Sequence, residues 1–377
     1  MEQLDVHKIR IDIHEALLPT LLELVSALGI QDALLQNARS VQIKRKQGFL
    51  SGLRSNTSFL EQAYPNLSFY VEKHKSRAIL QTIAHGCSLE MPGRGSASCS
   101  QVQLYCPAPI AKLIRAIPGA HEQAEPGALL HNLVGIEVVV PRGDGNNVAK
   151  AAIGIGTCVP CIAFSQGTGF RNRLGLLRIT ISAEKEAIVF VVPDHDAENV
   201  IQTLIEEARL DQPGKGFISA YPIESAILNT RTKTGKQTHA ASMEQIITAI
   251  DTLNGNTLWR RRFDRNLDGQ NGNIPFFRNM TSLVFTAPAD MTATLATAAM
   301  LNGAPGATST KVHSAWFAKT RQTSLELKSQ TLESTTLVIS ENMQQAITTI
   351  IIDAGAELFQ QSGMLEIQQR PLAWTFK

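Results

Sequence analysis

Two short turns in this sequence can bind an anion. Pro92-Gly93-Arg94-Gly95 and Pro213-Gly214-Lys215-Gly216 each hold a cation between two glycines, directly before a strand-forming stretch. Glycine admits backbone conformations that turn successive N–H groups to one side, and such a nest takes a phosphate or carboxylate, with Arg94 or Lys215 adding charge. The same residues also stop a helix, since proline cannot continue it, so each turn has a structural reading beside the chemical one. Arg171 and Arg173 supply two further cations in a polar stretch, for an anion, for a partner surface or simply for solvent.

Other reactive types carry weaker patterns. Cys158-Val159-Pro160-Cys161 is formally a CxxC, but it falls at the start of an expected strand, where positions three apart face opposite sides. Cys87, Cys99 and Cys106 complete no zinc spacing, and an odd total of five cysteines fits a reducing compartment better than a disulfide framework. His195 stands beside a helix start, and His14, His313 and Trp316 fall on expected strands, where packing or solvent explains them. No nucleophile, base and orienter stand at a recognisable spacing, so a non-enzymatic role is expected.

The elements that must hold these turns follow from hydrophobic periodicity. Residues 7–14 alternate, with Ile9, Ile11 and Ile13 on one face, as a strand with one buried side. Leu17, Leu21, Leu24 and Leu28 then recur at helical spacing over 15–29, ending at Gly29. A second strand is predicted over 33–46, a polar excursion over 48–65, a third strand over 67–71, a helix over 75–89 and a last strand over 98–105. The order is βαββαβ. It recurs with strands at 133–141, 157–165, 187–193 and from Phe217 to Ile223, an excursion at 167–175, a helix at 146–156, and a second helix capped by Asp194 or Asp196. A third round has strands at 282–287, 309–317, 335–339 and 364–369, helices at 291–302 and 343–359, and an excursion at 320–333, with Gly363 alone before the last strand.

This order is that of a ferredoxin-like unit, an α+β fold with one four-stranded antiparallel sheet and both helices on a single face. The other sheet face carries apolar residues too, as 136–141 and 187–193 show, and must be covered. Three units in one chain can cover one another by closing into a ring. The expected architecture is therefore three tandem units over 1–107, 132–230 and 280–377, joined by linkers at 108–131 and 231–279 that hold helices at 110–117 and 243–253. Such a chain is its own pseudo-trimer and a monomer in solution.

Composition supports packed cores, with 44% hydrophobic residues and 18% charged ones in 377. A net charge of +2 gives no reason to expect nucleic acid as a partner, and the runs Lys44-Arg45-Lys46 and Arg260-Arg261-Arg262 read as solvated surface. No apolar run reaches the ~20 residues that span a bilayer, and 1–10 lack the apolar core of a signal peptide. A cytoplasmic location is expected.

Residues 186–229 resemble the second half of a PII signal-transduction protein, and 143–170, with Gly167-Thr168-Gly169-Phe170, resemble the first half. The resemblance is specific over the middle third, suggestive over the first, and rests mainly on element order in the last. It implies a trimer of ferredoxin-like units in which each excursion is a mobile T-loop and each glycine turn a B-loop. It further implies ATP or ADP in the clefts between units, with Gly167 and Gly169 at the T-loop base and Gly214 and Gly216 in the B-loop. Where the family has a lysine after the second B-loop glycine this chain has Phe217. Its two arginines after the last strand fall at Leu228 and Thr230, with Arg231 and Lys233 displaced. The middle excursion has no tyrosine for nucleotidylation. The cofactor is left unassigned, with an adenine nucleotide as candidate. The expected function is a regulatory sensor that binds a small anionic metabolite or nucleotide between units and signals through its excursions to a protein target. An assembly scaffold with empty clefts, or an enzyme using an interdomain cleft, is the alternative.

Overall fold

The structure is a computed structural model that describes residues 1–45, 57–119, 129–155, 157–168, 183–229, 276–317 and 327–375, together with 250, 253 and 255. The helix expected at 243–253 and most of the second linker lie outside the described residues.

The first segment contains β1 (Glu2–Ile13), α1 (Leu18–Ala27), β2 (Asp32–Gln36), β3 (Ala38–Arg45), β4 (Thr57–Ala63), β5 (Asn66–Glu72), α2 (Lys73–Gly86) and β6 (Gly95–Cys106). The alternation of β1 works as expected: Ile9, Ile11 and Ile13 are fully buried and pack with Leu21 and Val25 of α1 and Ile79 and Ile83 of α2. Gly29 closes α1 at φ 78°, and a Cβ there would stand 2.7 Å from Pro118 Cδ, so the turn also admits the first linker. That linker holds α3 (Ala108–Ala116).

The second segment runs β7 (Leu133–Pro141), α4 (Gly145–Ile155), β8 (Cys161–Thr168), β9 (Glu184–Pro193), α5 (Ala197–Glu207), β10 (Phe217–Ile223) and β11 (Ser225–Ile227). The third runs β12 (Phe277–Ala287), α6 (Ala289–Leu301), β13 (Ala307–Phe317), β14 (Leu327–Ser340), α7 (Gln344–Ala354), α8 (Ala356–Gln361) and β15 (Met364–Thr375).

Strand order is the same in each segment: β6-β1-β5-β2, β10-β7-β9-β8 and β15-β12-β14-β13, all antiparallel. Each sheet has its own core beneath two helices, centred on Ile9, on Ile136 and on Phe285. The edges then pair across segments. At one edge β6 pairs β15, β15 pairs β10, and β11 pairs β6. At the other β2 pairs β13, β13 pairs β8, and β8 pairs β3. Every segment is thus hydrogen-bonded to both others at both edges, which leaves few unpaired strand groups for another chain to extend.

Several expectations need correction. The second strand of the first segment breaks at Asn37 because its halves have different neighbours: β2 pairs β5, while β3 forms a hairpin with β4. Much of the excursion at 48–65 is therefore strand, as is the end of that at 320–333, where β14 pairs β13 as far as Phe317↔Leu327. The last helix is divided at Gly355. Asp196, at the N-cap of α5, makes no side-chain cap bond. A 3₁₀ turn at Asp194–Asp196 leads into the helix, and Ala197 N–H bonds Asp194 O. Asp194 and Asp196 instead flank His195, each 3.5 Å from one ring nitrogen.

The face of the sheets opposite the helices also differs from expectation. It carries apolar residues, among them Ala187, Val189 and Val284, but where the segments converge these are joined by Lys8, Arg10, Glu137, Glu366, Gln368 and Arg370. Among the described residues no helix is long and apolar enough to cross a membrane.

Candidate functional site

The turn after α5 is built by backbone geometry. Lys215 N–H bonds Gln212 O at 3.2 Å, and Gly214 and Gly216 take φ values of 74° and 128° that side chains resist. A Cβ on Gly216 would stand 1.8 Å from Val139 O, so the second glycine lets β10 close on β7. Lys215 Nζ lies 3.3 Å from Asp144 Oδ2, both more than a third exposed, at the start of α4. Lys185, on β9, reaches Gly214 O at 3.5 Å with its Nζ, and its stem passes beside Gly167, where a Cβ would stand 3.2 Å from Lys185 Cγ. The structure thus brings Gly167, Gly214, Lys215 and Gly216 to one place and adds Lys185 and Asp144, which sequence reasoning missed. The third segment borders this cleft, because Thr375 Oγ1 donates to Gly216 O at 3.1 Å and Phe217 pairs Thr375.

The turn after α2 has the same backbone but different occupants. Gly93 and Gly95 again have positive φ, and a Cβ on Gly95 would stand 2.4 Å from Asp12 O. Gly93 N–H donates to Asn229 Oδ1 at 2.9 Å, the Tyr64 hydroxyl donates to Gly93 O, and Asn229 Nδ2 donates to the Tyr64 oxygen at 3.4 Å. Asn229 follows β11, so the second segment fills this cleft with its own amide. Arg94 turns back and donates from Nε to Cys87 O at 2.8 Å, which satisfies a carbonyl beyond the end of α2.

Before β15, at Gly363, the third cleft is closed by apolar packing. Here α3 follows β6 and sets Ala111 and Ile114 in a cluster with Met364, Tyr70, Leu34 and Val312. A void of ≈ 20 Å³ remains beside Ile110 and Met364.

A carboxylate already occupies one helix N-terminus. Glu186, 2% exposed, accepts from Gly143 N–H at 3.1 Å and Gly145 N–H at 2.8 Å ahead of α4, and pairs with Arg39 Nη2 of β3 at 2.9 Å. Arg39 and Arg142 each lie 5.2 Å from the centroid of the exposed Phe164 ring. These contacts join the β3–β4 hairpin to the second segment.

Gly169, Arg171, Arg173 and Arg231 lie outside the described residues. Among the described residues no three His, Cys, Asp or Glu side chains are grouped to hold a metal. His14 caps the turn before α1 by accepting from Ala16 N–H at 3.2 Å, and its ring meets Tyr64 edge-on. His313 lies 3.4 Å from Thr331 Oγ1. Cys158 and Cys161 are separately placed: Cys158 Sγ accepts from Val191 N–H at 3.1 Å, and Cys161 Sγ lies 3.8 Å from Tyr64 O.

One buried cluster escaped sequence reasoning: His7 Nδ1 lies 2.8 Å from Ser76 Oγ and 3.2 Å from Cys99 Sγ, between β1, α2 and β6. Burial lowers the His7 pKa and pushes the Cys99 thiol up to about 12, so neither a thiolate nor an imidazolium is favoured there. All five cysteines are free and buried, and burial also raises Cys87 and Cys106 to about 11 and Cys158 to about 12. The folded protein at pH 8 is therefore expected to resist iodoacetamide at every cysteine, and all five should react in denaturant, as mass spectrometry would read. Fast labelling of any one in the native state would contradict the burial.

No known protein family matches the chain, and no curated protein matches it. A solved structure that does match is the crystal structure of Arabidopsis thaliana PII bound to citrate, at 22% identity and a TM-score of 0.20, covering 25% of this chain and 79% of that chain.

Proposed function

We propose that the three segments are diverged copies of one PII-like, ferredoxin-like unit, at 1–107, 132–230 and 280–377, and that the chain closes on itself the ring that separate subunits close in a trimer. In this reading the protein is a sensor for a small anion, a phosphate-bearing or carboxylate metabolite, with an adenine nucleotide as one candidate. The ligand lies in the cleft at Gly214–Gly216, and the excursion after Gly167 carries the signal to a protein target. The observation that favours this cleft is the inequality of the three. Asn229 and Tyr64 bond the turn at Gly93, α3 packs the cleft before Met364, and at Gly214–Gly216 the described neighbours include two lysines, an aspartate and the Thr375 hydroxyl on Gly216 O.

Two cations near a glycine turn form charge-assisted hydrogen bonds with an anion, each contributing about 1.5–3 kcal/mol. Lys215 must leave Asp144 to do so, and both groups are exposed enough for that pair to be weak. Ligand and Asp144 then compete for Lys215, and the outcome changes how Asp144 holds the start of α4.

Isothermal titration calorimetry with ATP, ADP, pyrophosphate and small carboxylates tests the reading. One ligand site per chain is expected. Lys215→Ala and Lys185→Ala should each weaken binding roughly tenfold to a hundredfold, while Arg94→Ala should leave it within about twofold, because the Arg94 side chain is engaged with Cys87 O. Silence across the panel, or equal losses from Arg94→Ala, would overturn it.

A further inference from the structure

At the centre of the ring lies a chamber separate from all three clefts. It measures ≈ 130 Å³, and every residue that lines it belongs to a strand, drawn from all three segments. Sheet alternation aims these side chains together: Lys8 and Arg10 are two apart on β1, and Glu366, Gln368 and Arg370 are two apart on β15. Hydroxyls of β5, β6, β13 and β14 complete the wall.

The charges at this wall are balanced in pairs. Lys8 Nζ meets Glu366 Oε2 at 2.7 Å, Arg370 Nη2 meets Glu137 Oε2 at 3.0 Å, and Arg10 holds Asp12 through two bonds of 2.8 and 3.1 Å. Two of these pairs cross between segments. Buried ion pairs seldom stabilise a fold more than apolar side chains of equal volume would, so ring closure alone does not call for them.

Arg370 is the sharpest feature. It is 4% exposed, its guanidinium lies 4.5 Å from the Tyr221 ring centroid, and its Nε has no hydrogen-bond partner among the described residues. A buried donor without a partner is destabilising unless something accepts from it. Tyr221 is held in turn by Gly135, where any Cβ would stand 2.3 Å from the ring. Lys8 and Arg10 line the chamber and keep 25% and 21% of their side-chain surface uncovered.

We propose that this chamber binds one small zwitterion, a molecule of amino-acid size with one carboxylate and one ammonium. At about 30 Å³ of liquid volume per water the space holds roughly four waters, which a ligand of small amino-acid size would replace. The carboxylate is received by the guanidinium groups of Arg370 and Arg10, and the ammonium by Glu366 and the Gln368 amide oxygen. Every cation at the wall already has its carboxylate, so a ligand of net charge leaves one charge uncompensated, whereas a zwitterion adds one acceptor and one donor group and keeps the balance.

Calorimetry on the full chain with glycine, alanine, glutamate and lysine, with succinate and putrescine as controls, tests this. At least one amino acid is expected to bind with one site per chain. The double variant Arg370→Gln, Glu137→Gln, which removes both charges of one pair together, should weaken it roughly tenfold to a hundredfold. Ser334→Leu, which adds apolar volume at the wall, should abolish binding, and it carries the test should the double variant fail to fold. No amino acid bound at millimolar concentration, binding of succinate or putrescine alone, or unchanged affinity in Ser334→Leu would overturn the proposal.

Discussion

Replacing Glu186 by alanine is expected to lower the free energy of unfolding by about 3–5 kcal/mol, read from urea denaturation. The carboxylate joins two segments: it accepts from Gly143 and Gly145 N–H ahead of α4 and from Arg39 of β3. Alanine removes the Cγ and the carboxylate, and so leaves two N–H donors without their acceptor and a mostly covered guanidinium without its strongest partner. Glu186→Gln keeps an acceptor and the volume, so it should cost about 1–3 kcal/mol. A loss below about 1 kcal/mol for alanine would mean that Glu61, 3.4 Å from Arg39 Nε, and solvent take over, and that the joint is not held by Glu186.

Gly216→Ala is expected to cost at least about 3 kcal/mol and to exceed Gly214→Ala, which should cost about 1–2 kcal/mol. The two glycines differ in kind. At Gly214 the constraint is its φ of 74°, the left-handed region that other residues enter at modest cost. At Gly216 a Cβ would stand 1.8 Å from Val139 O and 2.9 Å from Val139 C, atoms of a central strand that cannot move without breaking the β10–β7 ladder. Gly95 faces Asp12 O in the corresponding way. Equal costs at Gly214 and Gly216 would show that the turn relaxes away from β7. The comparison also divides the motif into its parts: the second glycine serves packing between last and first strands, and the first glycine with its cation is left for chemistry.

Much of the fold was legible because its determinants are local. Ile9, Ile11 and Ile13 alternate, Leu21 and Val25 recur at helical spacing, and the glycine turns punctuate helix from strand, so element order could be read residue by residue. Boundaries erred where a strand is made by a distant partner. The break at Asn37 comes from β2 turning to β13 while β3 turns to β4 and β8, and no pattern within 32–45 records that change of neighbour. Asp196 does not cap α5 through its side chain, because a 3₁₀ turn supplies Ala197 N–H with the backbone oxygen of Asp194.

The candidate site was half legible. Gly214, Lys215 and Gly216 stand together in sequence, whereas Lys185 and Asp144 join them only because β9 and the start of α4 end beside that turn. The charged chamber left a trace that was passed over: Lys8, Arg10 and Asp12 alternate with buried isoleucines, and Glu366, Gln368 and Arg370 occupy alternate positions of β15. Period two states that such residues share a face, but whether that face meets solvent or another sheet depends on strands hundreds of positions away.

By itself the sequence determined three rounds of strand, helix, strand, strand, helix, strand and the glycine turns that end each second helix, since propensity, periodicity and proline or glycine geometry act over a few residues. Only the tertiary structure decided which cleft is filled by Asn229, which by α3, and which brings Lys215, Lys185 and Asp144 to its glycine turn. Those outcomes depend on pairings such as β11 with β6 and β15 with β10, which join strands far apart in the chain and follow from no local preference.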